Sequence, residues 1–268
     1  MHRLIEFERI PFRRERSIGS IRYSFVNMFP AIRNVSQLPI EAAKRLHEDG
    51  FCTVPGPIPP QELDQVASAY DDAMRGADAA DRREGSTTIR VLNLVNRSPK
   101  FDPIYIHGPL LAACCQILMQ PFKLSTMIGR TLLPGKPAQQ LHRDYPSDGL
   151  GSTMTGFIFM VDEFRSDNGA TCFLPGSHGK EQVQVPDGPL VPACGPAGCM
   201  IIYDGSVWHG HGANTTREPR RSVQGAFIRR EAAGATNFAS RMRFETLQRI
   251  GPVAKYLLGI SGDLQDSS

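Results

Sequence analysis

The hydrophobic pattern divides this chain in two. Before residue 122 apolar positions recur at helical spacing, and after it they come in short runs broken by turn residues. Residues 36–48 have helical character and stop at Gly50, a residue suited to the left-handed C-terminal position. Phe51-Cys52-Thr53-Val54 follows as a short strand. Pro59 and Pro60 open a second helix, in which Leu63, Val66, Ala67, Tyr70 and Met74 fall on one stripe that suits a core face. Residues 76–86 are charged and small and fit an exposed connection, while residues 87–95 alternate like a strand. A third helix begins at Gly108 and Pro109 and carries Leu111, Cys114, Cys115 and Leu118 on one face.

From Phe122 onward the runs shorten. Residues 122–133, 137–144, 153–161, 170–174, 183–185, 198–203 and 222–228 read as strands, with Pro134-Gly135, Asp167-Asn168-Gly169 and Pro175-Gly176 as turns between them. Closely spaced strands of this kind predict a barrel or double-sheet jelly roll rather than a parallel α/β sheet. Residues 237–258, with Phe238, Met242, Leu247, Ile250 and Tyr256 among charges, predict one or two helices closing the outside. The expected organisation is one mainly β domain with flanking helices over residues 36–258, preceded by an extension at 1–35 and followed by a frayed tail at 259–268. Neither an internal repeat nor a low-complexity segment is present.

Composition changes this picture little. A hydrophobic share of 41% supports an ordinary packed core, and Gly 25 with Pro 21 supports many turns. The net charge of +3 is concentrated in residues 1–35, where Arg3, Arg9, Arg13, Arg14, Arg16, Arg22 and Arg33 face only Glu6, Glu8 and Glu15. This leader reads as a solvated extension, and its acids and lack of amphipathic pattern argue against a targeting presequence. No apolar run reaches the length of about 18 residues that a membrane helix needs. The six cysteines form no CxxC pair and read as reduced core thiols, so a cytoplasmic protein is expected. Outside the leader no basic and aromatic groove points to nucleic acid.

The candidate chemistry lies in Gln139-Gln140-Leu141-His142-Arg143-Asp144-Tyr145 and in Trp208-His209-Gly210-His211-Gly212. Side chains two apart on a strand share a face, so Gln140, His142 and Asp144 can point into one barrel mouth. Two imidazoles and a carboxylate are the ligand set of a non-haem Fe(II) centre with open positions. An isolated His-x-Asp occurs by chance, and parity does not choose between His209 and His211.

The motifs also come in a definite order. Asp49-Gly50-Phe51 opens the series and is followed by the His142-to-Asp144 segment and Asn168-Gly169-Ala170-Thr171. Pro175-Gly176-Ser177-His178, residues 208–214 and Arg220-Arg221-Ser222 complete it. In this order, over most of the chain, the sequence resembles the phytanoyl-CoA dioxygenase family of Fe(II)/2-oxoglutarate oxygenases. The resemblance implies a double-stranded β-helix, the cupin-like jelly roll, with helices packed outside. It implies iron ligands His142, Asp144 and His209, the last preferred to His211 because His209 to Asn214 fits the family's H-G-x-G-x-N order. Arg220 is implied to hold the distal carboxylate of 2-oxoglutarate, a task suited to a planar, permanently charged guanidinium. Ser222 is placed to assist it, Gln140 and Thr171 to contact the cosubstrate, and Arg221 to point the other way. His178 is expected to belong to a turn.

The implied reaction consumes 2-oxoglutarate and O2, releases succinate and carbon dioxide, and oxidises a substrate C–H bond. Asp144 fills the position that halogenases leave open for chloride, which favours hydroxylation. The expected partner is a small, largely apolar metabolite or natural-product intermediate, and the protein is expected to be a monomer or weak homo-oligomer. An acyl-CoA substrate is disfavoured because no basic cluster stands near the motifs. A non-catalytic jelly-roll binding protein would release no succinate, and a cupin-like isomerase or hydrolase leaves Arg220 and Ser222 without a purpose.

Overall fold

The computed structural model describes residues 38–145, 151–179 and 184–260. The basic extension, residue 183, residues 146–150 of the loop after Tyr145 and residues 261–268 of the tail lie outside them. Helix α1 (Ile40–Glu48) follows Pro39, buries Ala42 and Leu46, and ends at Asp49. Gly50 then takes φ 84°, which turns the chain directly into β1 (Phe51–Pro55). A 3-10 turn at Pro60–Glu62 leads into α2 (Leu63–Arg75), whose Val66, Tyr70 and Ala73 are buried. The connection at 76–86 contains a short strand, β2 (Arg82–Glu84), that the small polar residues did not suggest. Strand β3 (Thr88–Val91) is shorter than the alternation at 87–95, because Asn93 adopts a left-handed φ of 61° and starts a 3-10 turn. Helices α3 (Asp102–Tyr105) and α4 (Gly108–Leu118) follow.

The remaining strands are β4 (Phe122–Leu132), β5 (Met154–Met160), β6 (Thr171–Phe173), β7 (Val191–Pro192), β8 (Cys199–Asp204), β9 (His209–His211) and β10 (Arg220–Arg229). Short helices α5 (Phe238–Arg241), α6 (Phe244–Arg249) and α7 (Pro252–Leu257) close the described chain. One sheet has the order β1-β8-β5-β10-β4-β3-β2, and a smaller one the order β7-β6-β9. Every neighbouring pair is antiparallel. The protein is a double-stranded β-helix with helices packed outside.

Strand periodicity explains how one sheet serves two cores. Cys52, Val54, Phe157, Phe159, Met200, Ile202, Val223 and Phe227 join the core under the helices, where Tyr70, Leu111, Cys114 and Leu257 are buried. The alternate residues Phe51, Ile158, Met160, Ile201, Tyr203, Ala226 and Ile228 form a second core between the two sheets. Polar side chains line the cleft at the mouth of the barrel.

Two expected strands differ. Gln184 and Val185 are in no strand. Residues 137–144 run beside β9 through isolated pairings only, Lys136 with Asn214 and His142 with His209. Proline at 134 and 137 removes backbone donors that a regular ladder requires.

Candidate active site

The barrel mouth is assembled around the pairing of residues 139–142 with β9. His142 and His209 exchange both backbone hydrogen bonds at 2.9 Å, and Gln139 N donates to His211 O at 2.9 Å. Three steps along one chain therefore match two along the other, which is a bulge, and a bulge flips which side chains face inward. The segment comes close because Gly210 lies beneath it, where an added Cβ would stand 3.1 Å from Gln139 O.

His142, Asp144 and His209 converge so that one potential ligand atom from each lies within 4.8 Å of the others. His142 Nε2 is 3.6 Å from Asp144 Oδ1, and His209 Nε2 is 3.6 Å from Asp144 Oδ2. Each imidazole has its other nitrogen against a backbone carbonyl: His142 Nδ1 is 3.2 Å from Gln140 O, and His209 Nδ1 is 2.9 Å from Val207 O. A proton on Nδ1 satisfies those carbonyls and leaves both Nε2 lone pairs directed toward the carboxylate. Burial pushes the His209 imidazole below its ordinary value, with Asp144 opposing, which favours the neutral ring that a metal needs.

The surroundings hold these groups in place. Tyr203 Oη donates to Asp144 Oδ2 at 2.7 Å. Its ring has room because its cross-strand partner is Gly156, where a Cβ would come within 2.1 Å of that ring. Phe51 stacks on Phe173 with centroids 4.3 Å apart, and Phe173 stacks on His209 at 5.5 Å, giving the imidazole an apolar floor. Ser177 Oγ donates to Leu174 O and accepts from Trp208 N, so the Pro175-Gly176-Ser177-His178 turn fixes the residue before His209. His178 lies in that turn, with Nε2 3.2 Å from His47 O.

Arg220 occupies the inner face of β10, 2% exposed, with its guanidinium 3.8 Å from the centre of the Phe164 ring. Its Nε and Nη1 have no hydrogen-bond partner among the described residues. Burial first, and Arg130 second, pull its pKa down to about 9. A buried cation with unmet donors is costly unless an anion completes it. Asn214 sets the approach to β10: its amide donates to Leu133 O and Glu218 O and accepts from Thr216 N and Oγ1.

The cleft encloses about 350 Å³, counting its open mouth, and is lined by Arg130, Gln139, His142, Asp144, Ile158, Thr171, Tyr203, His209, His211 and Gln224. Of the residues singled out from sequence, His142, Asp144, His209 and Thr171 meet there. Ser222 is buried beside it, donating to Arg130 O at 3.1 Å and accepting from Gln224 Nε2 at 3.3 Å. Gln140 is exposed and does not line the cleft. The bulge turns Gln139 inward instead, where its Oε1 is 3.3 Å from Arg130 Nη2. His211 is buried on the wall, Nδ1 toward Gly212 O at 2.9 Å and Nε2 3.5 Å from Thr87 Oγ1, and it stands outside the three-residue cluster.

Sequence reasoning missed Arg130, Tyr203 and Gln224. Gln224 was accessible through parity with Ser222, and Arg130 through a charge inside an otherwise apolar strand. Tyr203 had no signal short of knowing that it faces Gly156.

A jelly roll whose mouth gathers two imidazoles and a carboxylate, with a buried arginine on β10 that keeps two donors unmet among the described residues, has the donor set for a divalent iron and a chelating dicarboxylate. The phytanoyl-CoA dioxygenase (PhyH) family model matches residues 46–222, and the chain belongs to this family. It is similar to the dioxygenase trt7 of Aspergillus terreus, 27% identical over 252 residues covering 85% of this chain and 87% of that one. It is also similar to the multifunctional dioxygenase prhA of Penicillium brasilianum, 28% identical over 264 residues, 88% of this chain and 86% of that one. Among solved structures, the epimerase SnoN in complex with Fe3+, alpha ketoglutarate and nogalamycin RO superposes with a TM-score of 0.61 at 20% identity, over 73% of this chain and 85% of that one. HygX from Streptomyces hygroscopicus with nickel and 2-oxoglutarate gives 0.60 at 15% identity, over 72% and 87%. The protein is a dioxygenase that uses iron, 2-oxoglutarate and O2. Among the described residues no helix is long and apolar enough to cross a membrane.

Proposed function

We propose that this enzyme oxidises an unactivated C–H bond of a small, largely apolar metabolite or natural-product intermediate, by hydroxylation or a related oxidation. The observation that carries this reading is the His142, Asp144 and His209 cluster in the cleft, together with Arg220 buried on β10 with two nitrogens that find no partner among the described residues. The fungal relatives named as dioxygenases, one of them multifunctional, support a small-molecule substrate and more than one oxidative outcome. SnoN in complex with nogalamycin RO and HygX with hygromycin B bound support a natural product as the substrate.

In this reading His142 Nε2, His209 Nε2 and one oxygen of Asp144 would hold the iron. Tyr203, donating to the other side of that carboxylate, keeps it from rotating and steadies its charge. Arg220 would grip the distal carboxylate of 2-oxoglutarate through the nitrogens that lack partners, with Thr171 offering a hydroxyl donor from the cleft wall and Ser222 beside them, its hydroxyl on Arg130 O. Gln139, rather than Gln140, offers its amide toward the cosubstrate. Iron and 2-oxoglutarate together supply the oxidation of a C–H bond by O2, with release of succinate and carbon dioxide. The aromatic floor of Phe173 and Phe51 keeps water from below the His209 imidazole, and Asp144 would take the iron position that a halogenase leaves to chloride.

The test is anaerobic addition of Fe(II) and then 2-oxoglutarate to the purified protein. A visible charge-transfer band is expected, followed by succinate on admission of air with substrate. Asp144→Ala is expected to lose the band and to lower succinate formation by about a thousandfold or more. Absence of the band in the wild type would remove the oxygenase reading.

A further inference from the structure

The inner face of the large sheet carries a row of arginines that the chemistry above leaves without a task. The register pairs Arg83 on β2 with Arg90 on β3, and Arg90 with Arg130 on β4. Directly paired residues leave a sheet on the same face, so the three side chains stand side by side from the sheet edge to the wall of the cleft. Arg83 and Arg90 are exposed, and Arg130 is partly buried and lines the cleft.

Like charges directly opposite one another destabilise a sheet, and little here relieves them. Among the described residues, none of the ion pairs includes Arg83, Arg90 or Arg130. Arg83 reaches only the carbonyls of Ala79 and Arg82. Arg130 reaches the amide oxygens of Gln139 at 3.3 Å and Gln224 at 3.4 Å. Burial and the neighbouring Arg90 hold its pKa below the usual arginine value.

A charge balance then identifies what is missing, on the reading given under Proposed function. Iron as a dication and 2-oxoglutarate as a dianion cancel. Among the described residues Asp144 is the only carboxylate lining the cleft, and its single negative charge stands against two cations, Arg130 beside it and the buried Arg220. One positive charge is left over at the cleft, with Arg90 and Arg83 adding to it outside. We propose that the substrate itself carries a carboxylate, which Arg130 receives inside the cleft and toward which Arg90 and Arg83 form an electropositive approach. The planar guanidinium fork matches a carboxylate, and the positive row draws the acid inward before it docks. A largely apolar body with one acidic group is thereby favoured over a neutral one.

The experiment uses anaerobic enzyme loaded with Fe(II) and 2-oxoglutarate, titrated by calorimetry with abietic acid and with its methyl ester as a rigid apolar pair. The acid is expected to bind at least about tenfold more tightly than the ester. That preference is expected to shrink as salt is raised, since the row is partly exposed. Arg130→Gln is expected to erase the preference while leaving the 2-oxoglutarate Kd, read from the charge-transfer band, within about twofold. Its melting temperature is expected to equal or exceed that of wild type, because one member of a repelling row is gone, and this separates lost binding from lost folding. Equal binding of acid and ester, binding of neither, or preference for a coenzyme A thioester over the free acid overturns the proposal. So does an Arg130→Gln enzyme whose 2-oxoglutarate affinity falls about tenfold, which would make Arg130 a cosubstrate residue. A missing charge-transfer band in the wild type defeats the oxygenase reading, whereas a normal band without acid preference defeats only the arginine row.

Discussion

Arg220 and Arg221 are consecutive residues of one strand, and they live in opposite circumstances. Arg221 faces the helices and is met by Asp162, through both carboxylate oxygens, and by Asp71 on α2 at 2.8 Å. Those partners push its pKa upward. Arg220 faces the barrel, is nearly inaccessible, and has two nitrogens without partners among the described residues. The contrast extends to the whole sheet: its outer face is a closed apolar core with charges paired at the margin, and its inner face ends in a polar cleft with cations to spare. Arg221 is thus satisfied by the protein alone, while Arg220 keeps two donors unmet among the described residues.

The comparison is most severely stressed by Phe227→Ala. This ring is fully buried on the outer face, edge-on to Phe122 at 5.5 Å. Its loss is expected to lower unfolding free energy by about 3–5 kcal/mol in denaturant titrations, with iron affinity of the folded fraction nearly unchanged. Arg220→Gln is expected to do the opposite, weakening 2-oxoglutarate about a hundredfold in band titrations while leaving metal-free stability level or higher. Arg221→Gln, its neighbour, is expected to cost about 1–2 kcal/mol of stability and to leave 2-oxoglutarate affinity within about twofold. If the two arginine variants behave alike, the distinction between the faces is wrong.

Smaller effects sharpen the inner face. Tyr203→Phe removes the hydrogen bond to Asp144 without removing the ring, and about tenfold weaker Fe(II) binding is expected by competition with a chelator. The pH dependence follows from His209 and His211, both held below 6.5 chiefly by burial. The unfolded chain binds protons on these rings first, so metal-free stability is complete above 6.5 and declines as pH falls below it, down to the lowered folded values. Thermal melts across this range are expected to reveal the decline, and His211→Gln is expected to flatten it by about 1 kcal/mol or less.

Much of the scaffold was legible because local pattern and tertiary demand agree. The stripe on α2, the start of α4 at Gly108 and Pro109 and the apolar run of β4 each encode an element through its own period. Elements were misread where few residues specify them. Strand β2 is three residues long and polar, and exists because β3 offers it an edge. The 137–144 segment alternates like a strand, but its prolines and its bulge against β9 leave it irregular. That alternation puts Gln140 on the inner face with His142 and Asp144, and one extra residue in the pairing turns Gln139 inward instead.

The sequence by itself determined the chemical vocabulary: a His-x-Asp pair, a second histidine in a glycine-framed motif, an arginine beyond it, and the order that marks the family. Those features are local or ordered along the chain, so they survive without coordinates. Tertiary structure decided which of them share a space. It brought His209 rather than His211 into the cluster, set Tyr203 against Asp144 through the gap at Gly156, and gathered Arg83, Arg90 and Arg130, far apart in sequence, into one row. Strand register and a single bulge set these relations, and register is a property of paired strands that neither strand carries alone.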